Sequence, residues 1–365
     1  MPGVYISYPF CAQKCTYCNF SSGVFPRSLQ DEYWTALVAE CQRHTWDWRP
    51  ETVYLGGGTP GSLAPEDLGR LLERIPGRPW AEATIEAAPG TITPTRARMW
   101  RACGINRVSL GVQSFVRAEI ARTGRRHTAE VVAAEVAVLR EAGIGNFNLD
   151  LIAGLPGQTP ESWRESLDWV GRLEAPHASV YMLEVDEDSR LGREMLRGGT
   201  RYGADAAPSE DEVVERYETA VERLASMGIL RYEISNFARR GYESRHNLKY
   251  WRLEPYAGFG ADAHSFDGRI RWRNVESPGE YVKRFRRGES PRAESTEAKL
   301  SEERFFVGLR LTAGIRPASE DWQRYAAPIR RFVGHGLLEA EGDMLRLTSR
   351  GVLLSNEVFQ EFLNA

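Results

Sequence analysis

Six stretches of the chain are dense in apolar, β-branched or aromatic residues and end in glycine, proline or an acidic residue: VYISYPF from Val4, TVYLGGGTP from Thr52, ATIEAAPG from Ala83, RVSLGVQSF from Arg107, NFNLDLIAGLPG from Asn146 and ASVYMLEV from Ala178. Short runs of this kind, closed by turn residues, predict buried strands. Apolar residues recur at helical spacing over Leu29 to His44, Pro65 to Ile75, Pro94 to Cys103, Thr128 to Ala142, Pro160 to Leu173 and Ser209 to Met227. Proline near the start of several suits a first helical turn, where its missing N–H would have no partner. Strand and helix in alternation predict a parallel sheet with right-handed crossovers. Six such units make most of a barrel, so the expected fold is α/β: a partial (β/α)6 barrel of the TIM type.

Barrels of this kind collect chemistry at the C-terminal ends of their strands. Cys11, Cys15 and Cys18 follow the first strand, Gly56 to Pro60 the second, Glu86 the third, Gln113 the fourth and Asp150 the fifth. Separated in sequence, they are expected to converge in space.

From about Ser277 the strand-helix rhythm fades, and GESPRAESTEAK is polar and loop-like, which predicts a connection between a first domain over 1–275 and a second over 276–365. The tail predicts three helices, a hairpin in LLEAEGDMLRLT and a last helix ending near Phe362: a smaller, mainly helical, winged-helix-like domain. Such an order raises DNA binding as a possibility. Ser301 to Ala365 holds eight Lys or Arg against nine Asp or Glu, whereas phosphate binding needs a basic face. A packing or lid role is expected instead.

Charge over the whole chain points the same way. Lys and Arg number 47 and Asp and Glu 50, a net of −3, with no footprint for nucleic acid or an anionic membrane. The N-terminus lacks the features of a secretory signal, and no run of ~18 apolar residues occurs, so a cytoplasmic protein without a transmembrane segment is expected. Five cysteines, an odd number, argue against a disulfide framework and make CAQKCTYC (Cys11 to Cys18) a metal-binding or reactive cluster.

Three thiolates with three and two residues between them can wrap one metal centre but leave it a ligand short. Structural zinc would want a fourth ligand, and the nearest candidates, Cys41 and His44, lie well downstream on a predicted helix. A 4Fe-4S cluster with one open iron fits better. Gln13 and Lys14, between the cysteines, count against three sulfurs buried merely as small hydrophobes. Cys41 and Cys103 read as helix-packing residues.

Cys-x-x-x-Cys-x-x-Cys after a first barrel strand, with Tyr17 before the last cysteine, resembles the radical S-adenosylmethionine superfamily. The segments YLGGGTP, IEAAPGT, NRVSLGVQSF, NLDLIAGLPGQT, YEISNFA and SRHNLKYW resemble its coproporphyrinogen oxidase-like branch over roughly residues 5 to 265. The resemblance implies a 4Fe-4S cluster on Cys11, Cys15 and Cys18, and S-adenosylmethionine contacted by Tyr5, Gly57, Gly58, Thr59, Glu86, Gln113, Arg125 and Asp150. Glu86 could accept from the amino group, Arg125 could pair with the carboxylate, and Asp150 could accept from ribose hydroxyls.

Within this branch the oxidases carry a further cysteine two positions after the third, where this chain has Phe20. That departure favours resemblance to the branch's heme chaperones, which bind heme and pass it to hemoproteins. SRHNLKYW then resembles their proposed heme-binding motif HNxxYW, implying His246 as an axial heme ligand with aromatic neighbours over the porphyrin face. His264 is a second candidate, or a structural histidine. Heme, heme-accepting apoproteins of the respiratory chain and a possible second copy of the chain are the implied partners. The alternatives are a radical enzyme acting on a porphyrinogen, a related methyltransferase, and a zinc-stabilised barrel. No catalytic residue is assigned.

Overall fold

The computed structural model describes residues 1–19 and 21–363. The six predicted strands form β1 (Gly3–Tyr8), β2 (Thr52–Gly57), β3 (Glu82–Ala87), β4 (Arg107–Gln113), β5 (Asn146–Ala153) and β6 (His177–Met182), each parallel to the next. Between them run α1 (Arg27–Arg43), α2 (Pro65–Leu72), α3 (Pro94–Ala102), the pair α4 (Arg117–Arg122) and α5 (Ala129–Glu141), and α6 (Pro160–Arg172). The helix starts follow from local chemistry. Pro65, Pro94 and Pro160 occupy first turns, and the side chains of Thr93, Thr128 and Thr159 accept from backbone N–H groups that would otherwise have no partner.

Strand side chains alternate between two faces, and here the faces differ in kind. Val4, Ile6, Val53, Leu55, Ala83, Ile85, Val108, Leu110, Phe147, Leu149, Ala178 and Val180 belong to the hydrophobic core beneath the helices. The intervening positions, Tyr5 and Ser7, Thr52 and Tyr54, Thr84 and Glu86, Arg107 and Ser109, Asn148 and Asp150, His177 and Ser179, point the other way into the barrel. Its outer wall is therefore apolar and its interior polar, a vessel suited to a polar ligand.

After β6 the chain forms α7 (Arg190–Leu196), α8 (Glu210–Ser226), β7 (Leu230–Arg231), β8 (Asn236–Ala238) and α9 (Arg245–Trp251). It then returns as β9 (Tyr256–Phe259), parallel to β1. Three antiparallel strands, β10 (His264–Phe266), β11 (Ile270–Asn274) and β12 (Arg292–Glu297), extend that side. Among the described residues the order runs β12-β11-β10-β9-β1-β2-β3-β4-β5-β6-β8-β7, with β12 and β7 at the two edges, so the barrel is partial.

One expectation is corrected here. Half of GESPRAESTEAK is strand β12, not loop. All six of its residues are exposed on an edge with a single neighbour, so it carries no hydrophobic signal. The helix before it, α10 (Pro278–Arg287), lies against α1, with the rings of Tyr281 and Tyr33 5.0 Å apart. Beyond come α11 (Leu300–Phe306), α12 (Ser319–Arg324), α13 (Ala326–Gly334), the predicted hairpin β13 (Leu338–Glu341) with β14 (Met344–Leu347), α14 (Ser349–Leu353) and α15 (Ser355–Gln360). Phe305, Tyr325 and Phe362 form the centre of this smaller helical unit. Arg310 joins it to the barrel: its guanidinium lies 3.4 Å from the buried Glu233 carboxylate and over the Trp251 ring. No helix among the described residues is long and apolar enough to cross a membrane.

Candidate functional site

The loop from Cys11 to Cys18 leaves the C-terminal end of β1 and is tied to its neighbours by backbone. Cys11 N–H donates to Gly23, Thr59 N–H to Phe10, Thr16 N–H to Thr123 and Leu191 N–H to Thr16. Cys11, Cys15 and Cys18 are free and partly exposed, whereas Cys41 lies on the buried face of α1. Burial pushes the Cys11 thiol up, opposed by hydrogen bonds from Ser22 and Thr59. The Arg125 Nε donates to Cys15 Sγ at 3.2 Å, and its terminal nitrogen donates to the Gly111 carbonyl.

The donor set fits a thiolate-bound cluster. A guanidinium on one sulfur offsets the negative charge that several thiolates accumulate, and a partly exposed loop allows loading. Among the described residues, no three Cys, His, Asp or Glu side chains close around one point as a single ion requires.

The three glycines after β2 have distinct tasks. A Cβ on Gly56 would meet Glu86 and Tyr54 at 3.0 Å, and one on Gly58 would strike the Phe10 carbonyl oxygen at 2.6 Å. Gly57 has φ +105°, and its N–H donates to Glu86 Oε2 at 3.2 Å. Gly58 is thus needed for contact with the cysteine loop, and the Thr59 hydroxyl is engaged with Cys11.

Inside the mouth of the barrel, Tyr54 donates to Glu86 Oε1 at 2.8 Å. Burial, with a further contribution from the Asp150 charge, pushes the Glu86 carboxyl up to about 7 against the pull of these hydrogen bonds. Burial also raises Asp150, which accepts from Ser109 at 3.1 Å and Asn148 at 2.6 Å. Asn148 in turn meets His177 Nδ1 at 2.6 Å, and Burial holds that imidazole neutral. Gln113, at φ +73°, follows a bulge at the end of β4 and is 8% exposed. Tyr5 stacks on Tyr54 with centroids 6.2 Å apart. Two desolvated carboxyls opposite a guanidinium form a site for a ligand that carries a cation, an anion and hydroxyls together.

His246 sits elsewhere. It occupies the N-terminal end of the barrel, beside the first residues of β1 and β2, and is fully buried. Nδ1 is 2.8 Å from the Thr52 hydroxyl and Nε2 is 2.8 Å from the Tyr250 hydroxyl. Its ring stacks on Tyr54, and burial, reinforced by the Lys249 and Arg107 charges, lowers its pKa to about 3. Both ring nitrogens of the residue that the motif implied as axial ligand are engaged, and no face of the imidazole reaches solvent. Trp251 is covered by Arg310. His264 is exposed on β10, opposite Arg273. Phe20 lies outside the described residues.

Sequence reasoning passed over Tyr54, Ser109, Asn148, His177 and Ser179, which orient the two carboxyls. The available signal was the every-second-residue polarity within strands read as uniformly apolar.

Comparison with known proteins agrees with this picture. The Radical SAM superfamily model matches residues 5–170 and the HemN C-terminal domain model matches 296–354. The solved structure of coproporphyrinogen III oxidase (HemN) from Escherichia coli superposes with a TM-score of 0.85 at 22% identity, covering 99% of this chain and 90% of that one. The chain is therefore a radical SAM protein with a HemN-type C-terminal domain. Among its relatives, heme chaperone HemW of Bacillus subtilis (strain 168) is 34% identical over 100% of this chain and 99% of the relative. HemW of Lactococcus lactis is 33% identical, covering 98% and 96%. A bovine radical S-adenosyl methionine domain-containing protein 1, mitochondrial, is 30% identical, covering 96% and 81%. The chain belongs to the HemW family.

Proposed function

We propose that this protein is a heme chaperone that acts in the cytoplasm and passes heme to apoproteins, those of the respiratory chain among them. Cys11, Cys15 and Cys18 would hold a 4Fe-4S cluster, and the residues of the barrel mouth would bind S-adenosylmethionine. When bound, such a cluster supplies one-electron chemistry at the sulfonium. Glu86 would accept a hydrogen bond from the amino group. Arg125, beside Cys15, pairs with the carboxylate, and Asp150 accepts from the ribose hydroxyls. Tyr5, Gly57, Gly58, Thr59 and Gln113 line the approach. Residues 1–275 supply this machinery, and 276–365 pack on it through Arg310 against Glu233 and Trp251.

One observation carries the cofactor reading: Glu86, Asp150 and Arg125 converge at the same barrel end as three free cysteines. End-to-end similarity to relatives named as heme chaperones supports the delivery role. Anaerobic heme titration of cluster-loaded protein, followed in the Soret region, tests it. Saturable stoichiometric binding is expected, and its absence, or porphyrin formed from a porphyrinogen, would overturn it.

A further inference from the structure

The register of the sheet lays Ser109, Asn148 and His177 side by side on β4, β5 and β6. Asp150 stands two residues beyond Asn148 on the same face of β5. From these residues a hydrogen-bonded chain runs toward the His246 end of the barrel, and its two ends fix its polarity. At the far end the Ser244 backbone N–H, at the cap of α9, meets the Tyr232 hydroxyl at 3.1 Å. Ser244 is itself held by the buried Glu82 carboxylate, which also accepts from the His246 N–H. An amide N–H only donates, so the Tyr232 oxygen accepts there and its own proton goes to His177 Nε2, 2.9 Å away. Fully buried and neutral, His177 carries one ring proton. With Nε2 accepting, that proton lies on Nδ1 and is donated to Asn148 Oδ1 at 2.6 Å. The Asn148 amide nitrogen is thereby turned to Asp150 Oδ1 at 2.6 Å and Ser109 Oγ at 2.7 Å, and Ser109 passes its proton to Asp150 Oδ2 at 3.1 Å.

The reverse polarity has no such solution. A proton on Nε2 would face the Tyr232 oxygen from one side and the Ser244 N–H from the other, while a bare Nδ1 would call for the Asn148 nitrogen. The flipped amide would then set its oxygen against the Asp150 carboxylate, acceptor against acceptor in a buried site. We propose that Tyr232 and His177 are positioning residues for ribose recognition: through the Asn148 amide they fix the Asp150 carboxyl in the orientation that accepts from hydroxyls. The inference rests on the cofactor reading given above. Two side chains stand between Tyr232 and Asp150, so Tyr232 acts on orientation and not by contact. The chain starts at the cap of the helix that carries His246, which gives that helix a part in the cofactor site from the opposite end of the barrel.

Nitrogen–proton correlation spectra of the histidine rings in the full chain before cluster loading, with His177 assigned by its loss in His177→Asn, read the tautomer directly. A proton on Nδ1 is expected. Equilibrium dialysis on cluster-loaded protein then compares S-adenosylmethionine with an analogue lacking both ribose hydroxyls. His177→Leu should weaken S-adenosylmethionine binding by about tenfold and Tyr232→Phe by about threefold, with each changing the analogue's binding by less than about twofold. His177→Asn, whose amide can donate where Nδ1–H did, should recover most of the loss seen in His177→Leu. Iron content and circular dichroism establish folding, and Tyr232→Phe, which deletes a single atom, carries the comparison if His177→Leu does not fold. A proton on Nε2 in the parent, equal losses for the two ligands, or His177→Asn as weak as His177→Leu would overturn the proposal. A parent that shows the Nδ1 proton but does not bind S-adenosylmethionine would overturn the cofactor reading and leave the chain a purely structural one.

Discussion

The two ends of the barrel are built from similar residue types and do opposite things. At the N-terminal end, His246, Thr52 and Tyr250 satisfy one another, while Lys249 bonds Glu51 at 2.7 Å and Glu254 at 3.0 Å. At the C-terminal end, Glu86 and Asp150 are desolvated carboxyls, Gly57 and Gln113 take left-handed backbone, and three thiols stay free. A polar cluster that saturates itself is a plug. One that holds carboxyls out of water, raises their pKa values and strains its backbone is prepared for a ligand.

The contrast breaks most sharply at the cysteines. Cys15→Ser should abolish cluster assembly, read as loss of bound iron and of the visible absorption of reconstituted protein, with the barrel still folded. His246→Ala should instead lower stability by about 3 kcal/mol, because it opens a cavity and strands the Thr52 and Tyr250 hydroxyls. Thermal unfolding would show the fall; a stability equal to the parent's would mean that the plug is not structural.

Glu86→Gln should weaken S-adenosylmethionine binding by about tenfold or more, since a buried charge partner of the amino group is lost. The pH dependence follows from the raised carboxyl. The folded state holds the Glu86 proton up to about 7, above the ordinary carboxylate range, so its ionisation costs stability as pH rises from about 4 to 7. An ionised carboxylate accepts from an N–H donor more strongly than a neutral carboxyl does, so affinity should rise through pH 6 to 7 and level off above it. Glu86→Gln should remove that rise. Tyr54→Phe keeps the stacked ring and removes one hydrogen bond, so a loss of about threefold in affinity is expected, at unchanged cluster content.

Much of this was legible in the chain. Strand runs, helix periodicity and first-turn prolines located the barrel because burial and capping leave local signatures. The cysteine spacing marked the loop for the same reason. Strand β12 was missed because a wholly exposed edge lacks an apolar face. Asn148 and His177 were missed because they alternate with the core residues Leu149 and Ala178 in strands that read as apolar runs. The HNLKYW motif names residue types but not solvent access: at an N-terminal strand end, the His246 imidazole packs and hydrogen-bonds internally.

The most direct measurement titrates S-adenosylmethionine into reduced, cluster-loaded protein and follows the electron paramagnetic resonance of the cluster in parent, Glu86→Gln and His246→Gln. The account predicts a saturable spectral change in the parent, the same midpoint in His246→Gln and a midpoint raised about tenfold or more in Glu86→Gln. No change in the parent, or a shift in His246→Gln as large as that in Glu86→Gln, would contradict it.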